Sequence, residues 1–344
     1  MATLKEVAQR AKVSYTTVSH VINATRPVSD EARARVLAAI DALHYVPSAL
    51  ARSLKSARTG TIGLIIPNNT NPYFSEVARG IEDHCYSAGY SVILCNVDDD
   101  PARQRHYLNV LLSKRCDGLI MTALTPAEGE LLRTKKVPVV LLDRTPQGQP
   151  FDVVDVDNLA GGALAAQHLL ALGRRRIACI GGPDEIALSR QRIDGVYSAL
   201  AAAGLEIDAA LCCHADFTSM GGYLAARKLL ALPPEQRPDA LFCCNDLMAI
   251  GALRAAAEAG ITVPQALAVV GFDDIELAQF VHPALTSVAQ NTRALGRLTA
   301  QCLLARIADP ELPPQQHRFT PVLQVRESSL ASSTPFFVVT ERAS

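Results

Sequence analysis

Residues 3–23 read TLKEVAQRAKVSYTTVSHVIN, and this stretch decides how the amino-terminal end folds. Thr3 followed by Glu6 has the spacing of a capping box, in which each side chain satisfies a backbone N–H at the helix start. Leu4, Val7, Ala8 and Ala11 then recur at helical spacing. Ser14 is a second cap and predicts a helix over residues 15–23, with Val18, Val21 and Ile22 facing inward. Tyr15, Thr16, Ser19 and His20 fall on its other side. A loop at residues 24–28 contains Arg26. Ser29 then caps a third helix, with Asp30 and Glu31 favourably placed at its positive end. Val36, Ala39, Ile40 and Leu43 form the inner stripe of that helix. Three short helices can bury one small core, and the tight turn between the first two predicts a helix-turn-helix.

The second helix carries the chemistry. A helix fits the major groove of DNA, where hydroxyl, phenol and imidazole groups reach base edges. The hydroxyls of Thr3, Thr17 and Ser29, together with N–H groups at helix starts, suit phosphate oxygens. The same pattern equally describes a small solvated bundle that binds a protein. Charge leans toward a polyanion: residues 1–60 hold nine Lys/Arg against four Asp/Glu, a balance of +5, while the rest of the chain carries −6.

Bulk composition sets the outer limits. At 344 residues the chain is long enough for two or three compact units. Apolar residues make up 49% and charged residues 19%, which excludes disorder as the main state. No apolar run is long enough for a membrane span, and the first 20 residues do not read as a secretory signal. Nine cysteines, none in a C-x-x-C pair, predict free thiols in a reducing compartment rather than disulfides or a zinc site. No phosphate-binding glycine loop and no G-x-S-x-G elbow is present, so an enzyme, a cofactor or a metal is not expected.

From Thr61 onward the texture changes. TIGLIIP (61–67), SVILCNV (91–97), GLIMTA (118–123), PVVLLD (138–143), DVVDVD (152–157), RIACIGG (176–182), ALFCCND (240–246) and ALAVVGFDD (266–274) alternate with helical patterns. Continuous apolar strands between helices predict parallel sheets covered on both faces. A second strand–helix series begins near 155–162, so two Rossmann-like subdomains with a cleft between them are expected. Ligands of such sheets bind beyond the carboxyl ends of the strands. The polar residues there are Asn71, Asp143-Arg144, Asn245-Asp246, Asp273-Asp274 and Gln290, which follows the apolar run 286–289. Carboxylates, amides and Arg suit a polyhydroxylated ligand, and Tyr73, Phe74 and Phe217 suit the apolar face of a sugar ring. Any one of these polar residues is more simply a turn former or helix cap; the set, repeated at one end of the sheets, points to a cleft.

PSALARSLK (47–55) lies between the two regions. Pro47 suits a helix start, and Leu50 and Leu54 are one turn apart. A helix this short is marginal alone in water, so it reads as a linker that folds only when held. The plainer reading is a helical linker with a buried leucine.

Residues 3–58 resemble the headpiece of the lactose/galactose repressor family, densely and almost without gaps. VSHVIN and HYVPSALARSLK are nearest its purine- and ribose-repressor branch. The resemblance implies Tyr15, Thr16 and His20 as major-groove readers and Arg26 as a further contact. Many members have Thr where Tyr15 stands, so the outer operator bases are expected to differ. It also implies that paired hinge helices of a dimer enter the minor groove, with Leu54 wedged into a base step and Lys55 beside it. About 60–330 looks like a periplasmic sugar-binding-protein fold. Asn-Pro-Tyr-Phe at 71–74 resembles the ribose-binding N-P-F-F, with Tyr73 adding a hydroxyl. Asp143, Arg144, Arg192, Phe217, Asn245, Asp273 and Gln290 match further sugar-binding positions.

The expected whole is therefore a small all-α helix-turn-helix headpiece (1–46), a hinge and linker (47–58) and an α/β periplasmic-binding-protein-like effector domain (59–344). Its amino-terminal subdomain spans about 60–158 plus a segment near 290–320, and its carboxy-terminal subdomain about 159–289 plus 321–340. The expected function is a cytoplasmic, nucleoid-associated homodimeric repressor, released from a palindromic double-stranded operator by a ribose-like sugar. Purine or other-aldose response, and a sugar-binding protein without a DNA role, are the alternatives. The tail SSTPFFVVTERAS (332–344) lacks leucine heptads for a tetramer; its PFFVV stretch reads as a terminal strand or as disordered.

Overall fold

A computed structural model describes residues 2–23, 26–45, 58–144, 150–205 and 208–330. The expectations for the hinge at 47–57, including Leu54 and Lys55, and for the tail at 332–344 lie outside the described residues.

The first compact unit holds three helices: α1 (Leu4–Ala11), α2 (Tyr15–Asn23) and α3 (Asp30–Ala42). The capping box forms as its spacing predicts: Glu6 N–H donates to Thr3 Oγ1 at 3.3 Å and Thr3 N–H to Glu6 Oε2 at 2.6 Å. This holds the Glu6 carboxyl below its usual range through the Thr3 hydrogen bonds. Lys12 ends α1 in the left-handed conformation (φ 53°) and turns the chain toward α2. Val7, Ala8, Ala11, Val18, Val36, Ala39 and Tyr45 form the shared core.

The second unit contains two six-stranded sheets. The first half runs β1 (Thr61–Ile66), α4 (Pro72–Ser87), β2 (Ser91–Asn96), α5 (Pro101–Ser113), β3 (Gly118–Met121), α6 (Pro126–Thr134), β4 (Val139–Leu142) and β5 (Asp152–Val156). The second runs α7 (Asn158–Ala171), β6 (Ile177–Gly181), α8 (Ala187–Ala202), β7 (Cys212–His214), α9 (Ser219–Leu230), β8 (Ala240–Cys243), α10 (Asp246–Glu258), β9 (Ala268–Asp273) and β10 (Thr286–Ala289). The chain ends in α11 (Thr292–Ala308), β11 (Gln316–Phe319) and β12 (Val322–Gln324). The sheet orders are β11-β5-β4-β3-β1-β2 and β12-β10-β9-β8-β6-β7. The chain therefore crosses between sheets three times: after β5, after β10 and between β11 and β12.

The central strands are buried at almost every position, as their unbroken apolar runs require. β7, β11 and β12 have no counterpart among the predicted strands. They are three or four residues long, lie at or next to sheet edges and mix polar with apolar residues, so neither a continuous nor a strictly alternating pattern marks them.

Helices α7 and α8 approach backbone to backbone. A Cβ at Gly162 would stand 1.9 Å from the Arg192 carbonyl oxygen, and one at Gly195 would stand 2.1 Å from that of Leu159. Only glycine fits, and this contact brings the start of α7 beside Arg192. Gly162→Ala is expected to cost about 1–3 kcal/mol through overpacking, read as a lowered Tm; an unchanged Tm would show that the helices part without penalty.

Candidate functional site

In the headpiece, α2 presents Tyr15 and Thr16 to solvent, with Tyr15 56% exposed. Thr17 and His20 are partly exposed, and Arg26 is exposed just beyond the helix. Val18 on the opposite side is wholly buried. Three of the proposed phosphate-contacting hydroxyls also serve local structure: Thr3 in its capping box, Ser29 as acceptor from Ala32 N–H at 3.4 Å, and Thr17 against the Ser14 hydroxyl at 2.8 Å. Ser14 in turn accepts from Thr17 N–H at 3.0 Å, fixing the first turn of α2.

In the larger unit, the carboxyl ends of the strands surround a space of about 260 Å³. It is lined by Asn71, Tyr73, Phe74, Asp143, Arg144, Leu188, Arg192, Phe217, Asn245 and Asp273. That volume includes open solvent at the mouth; the side chains themselves meet closely across it. Gln290 is not in the lining but stands directly behind it, its Nε2 donating to Asp273 Oδ1 at 2.6 Å. A wider cleft, about 880 Å³ including open solvent, lies at the opposite end of β6. Its Arg176 is already held by the carbonyls of Glu235 and Pro234, and it lacks a convergent set of buried polar groups.

The cap reading and the pocket reading hold together at two positions. Asn71 caps α4 by accepting from Tyr73 N–H at 3.0 Å. Asn245 caps α10 by accepting from Met248 N–H at 2.9 Å, while its Nδ2 donates to the Phe217 carbonyl at 3.0 Å. Phe217 has φ 63°, Asp143 φ 70°, Asp273 φ 113° and Asp274 φ 57°. Non-glycine residues rarely adopt such values, and they gather where side chains must be aimed against backbone preference. Asp143 and Arg144 both enter the lining, whereas of Asn245-Asp246 and Asp273-Asp274 only the first member does. Asp246 is fully buried behind it, accepting from Ser287 Oγ at 2.5 Å and Ile275 N–H at 2.8 Å. Asp274 turns away to Arg326 at 2.7 Å.

Arg192 is the centre of charge. It is 3% exposed, donates through Nε to Asn158 Oδ1 at 2.8 Å and through Nη1 to the Cys244 carbonyl at 2.6 Å, and lies 3.5 Å from Asp273 Oδ1. Its guanidinium sits 3.7 Å from the Phe272 ring centroid. Tyr73 OH donates to Asp143 Oδ1 at 3.0 Å. Burial raises the Asp143 carboxyl above its usual range, opposed by Arg192 and Arg144. Burial, with Asp143 nearby, pushes Asp273 up to about 7 against the pull of Arg192 and Gln290. The Tyr73 phenol is raised further out of range by burial and both carboxylates. Arg144 lies 5.8 Å from the ring centroids of both Phe74 and Phe217. Gln290 Oε1 and Arg144 Nε are buried without a hydrogen-bond partner among the described residues. Arg144 belongs to the lining, so its Nε is a donor left over at the pocket, while Gln290 Oε1 is an unpaired acceptor behind it.

Residues 3–48 match the model for bacterial regulatory proteins of the lacI family, and residues 166–329 that for a periplasmic binding protein-like domain. The ribose operon repressor of Escherichia coli (strain K12) is 44% identical over 332 residues, 96% of this chain and 100% of that protein. The chain belongs to the lacI family of bacterial regulatory proteins. Among solved members, the lac repressor dimer bound to operator and an anti-inducer aligns with TM-score 0.86 at 29% identity, covering 96% of this chain and 99% of that one. A lacI family regulator from Enterococcus faecium with bound ribose aligns with TM-score 0.72 at 33% identity, covering 78% and 98%. As a family member the chain is a DNA-binding transcriptional regulator rather than an enzyme. No helix among the described residues is long and apolar enough to cross a membrane.

Leu188 in the lining and Asn158 behind Arg192 have no counterpart among the expected site residues. Leu188 carries no polar signal, and Asn158 sits in an ordinary helix start. The pocket's electrostatics generate a test. An Asp whose folded pKa is raised contributes stability fully below about pH 4 and loses it as pH rises through the folded value. Without ligand, Asp273→Asn is expected to gain Tm relative to the native chain between pH 5 and pH 8, because it removes this loss. A constant difference in Tm across that range would rule out a raised Asp273 pKa.

Proposed function

We infer that the protein is a homodimeric repressor released from a palindromic operator by a ribose-like sugar. The observation that carries the effector reading is the buried set Asp143, Arg192, Asp273 and Gln290, closed by Tyr73, Phe74 and Phe217. Carboxylates accept from sugar hydroxyls, Arg192 and Asn245 donate to them, and the aromatic rings cover the apolar ring face. Asn71 and Arg144 complete the rim. The 44% identity to a ribose operon repressor and the likeness to a ribose-bound regulator support this ligand class. Sequence-specific contact falls to Tyr15, Thr16 and His20, with Arg26 beside them; Thr3, Thr17 and Ser29 hold phosphates, and Leu54 and Lys55 enter the minor groove. The working division is headpiece 1–46, hinge 47–58 and effector domain 59–344. Such a protein works in the cytoplasm at the nucleoid.

In this reading ligand closes the two subdomains about their crossovers and releases DNA. The test is operator binding by gel shift with and without D-ribose. Ribose should weaken binding in the native chain and leave Asp273→Ala unaffected. Release by a purine alone, or by no sugar in a pentose and hexose panel, would overturn the effector assignment.

A dimer is supported by apolar residues left on the surface. Met220 and Leu224 lie one turn apart on α9, 65% and 49% exposed, and Phe280 is 74% exposed. The lac repressor solved with operator is a dimer. Replacing both Met220 and Leu224 with Glu should convert the dimer to a monomer in light scattering. It should also weaken operator binding, since two half-sites need two headpieces; an intact dimer would exclude this face.

A further inference from the structure

Asn158 lies one step past the first crossover, between β5 of the first sheet and α7 on the second. It is 4% exposed. Its amide is used on both sides: Nδ2 donates to the Val156 carbonyl at 3.2 Å and Oδ1 accepts from Arg192 Nε at 2.8 Å. One partner is the last residue of a first-sheet strand; the other is the buried cation of the pocket. The helix start does not need this side chain, because Asp157 is the cap and accepts from Ala160 N–H at 2.9 Å. The Asp157 N–H in turn donates to Phe319 O at 3.0 Å, tying the first crossover to the end of β11, where the third begins. The other groups that fix Arg192, the Cys244 carbonyl, the Phe272 ring and Asp273, belong to the second subdomain alone. Asn158 is thus the hydrogen-bonding partner of Arg192 that also grips a crossover.

We propose that Asn158 is a positioning residue that couples the arrangement of Arg192 in the pocket to the hinge between the two sheets. This rests on the effector reading of the pocket. A neutral amide can donate to a carbonyl and accept from a guanidinium at once, as neither a carboxylate nor an ammonium can. A shift of Arg192 toward a ligand hydroxyl pulls on the Val156 carbonyl through one rigid group, and through Asp157 on Phe319. By linkage, subdomain closure presents Arg192 to the ligand by the same amount.

Two variants separate the two sides of the amide. Asn158→Asp keeps the acceptor for Arg192 and sets a carboxylate oxygen against the Val156 carbonyl. Asn158→Ala removes both contacts. Calorimetry with D-ribose and anisotropy with labelled operator read the two functions separately. Asn158→Asp should hold ribose within about threefold of the native chain, while the factor by which ribose weakens operator binding falls about tenfold or more, within the usual range of coupling. Asn158→Ala should lose about tenfold or more in ribose affinity as well, the cost of leaving a buried charged donor unpaired. Full operator release by Asn158→Asp, or native ribose affinity in Asn158→Ala, overturns the proposal. Exchange of the Arg192 Nε–H proton, followed by NMR without ligand, decides the case if either variant fails to melt cooperatively or if the native chain ignores ribose. The latter would sink the ribose reading separately. Protection kept in Asn158→Asp and lost in Asn158→Ala supports the positioning role; equal protection in native chain and Asn158→Ala rejects it.

Discussion

The pocket depends on one buried guanidinium. A carboxylate taken out of water is costly unless a cation and hydrogen bonds compensate it. Asp143, Asp246 and Asp273 are all buried in this region, and burial raises each of them. Arg192 opposes that rise at Asp143 and Asp273. It can do so because Arg stays charged when buried and offers several donors in a fixed plane. Lys would place one compact charge there and could not meet Asn158 Oδ1 and the Cys244 carbonyl from two sides of a plane. Asp246 is held differently, by the Ser287 hydroxyl and the Ile275 N–H. Those bonds anchor the turn after β9 that aims Asp273 inward.

Backbone geometry delivers the guanidinium to this place. The parallel strands bring their carboxyl ends to one side of each sheet, so residues from β4, β8 and β9 meet although far apart in sequence. The glycine contact between α7 and α8 sets Arg192 against the first turn of α7. Gly182 has a similar role at the pocket wall, where a Cβ would stand 2.1 Å from the Phe217 ring. Small residues here are the condition for large polar ones to converge.

Much of this was legible in the sequence because it follows from period and position. The Thr3–Glu6 box, the unbroken apolar runs and the polar residues closing them each carry a local signature. Edge strands such as QHRF at 316–319 do not, since half-exposed positions tolerate either polarity. Whether the second polar residue of a pair points inward is also hidden. Asp274 and Asp246 follow polar site residues just as Arg144 does, yet tertiary partners turn them to Arg326 and Ser287. Leu188 and Asn158 are invisible for another reason: their roles exist only once α8 has packed on α7.

Under the proposed effector reading, the same polar set bears on how a ligand would shift the two sheets. A buried acceptor such as Gln290 Oε1, left unpaired by the protein, costs about 1–3 kcal/mol. Coupling free energies between distant sites are of the same size, about 1–3 kcal/mol. A ligand shifts a conformational equilibrium only by its difference in affinity between the two arrangements. Pairing the Gln290 oxygen in one arrangement and leaving it unpaired in the other would supply a difference of that order. Gln290 is suited to this because it lies at the second crossover, just after β10, while its Nε2 is fixed to Asp273. Asn158 holds the matching place at the first. Each of the two crossovers thus carries a buried amide that holds one charged residue of the pocket, Arg192 at the first and Asp273 at the second.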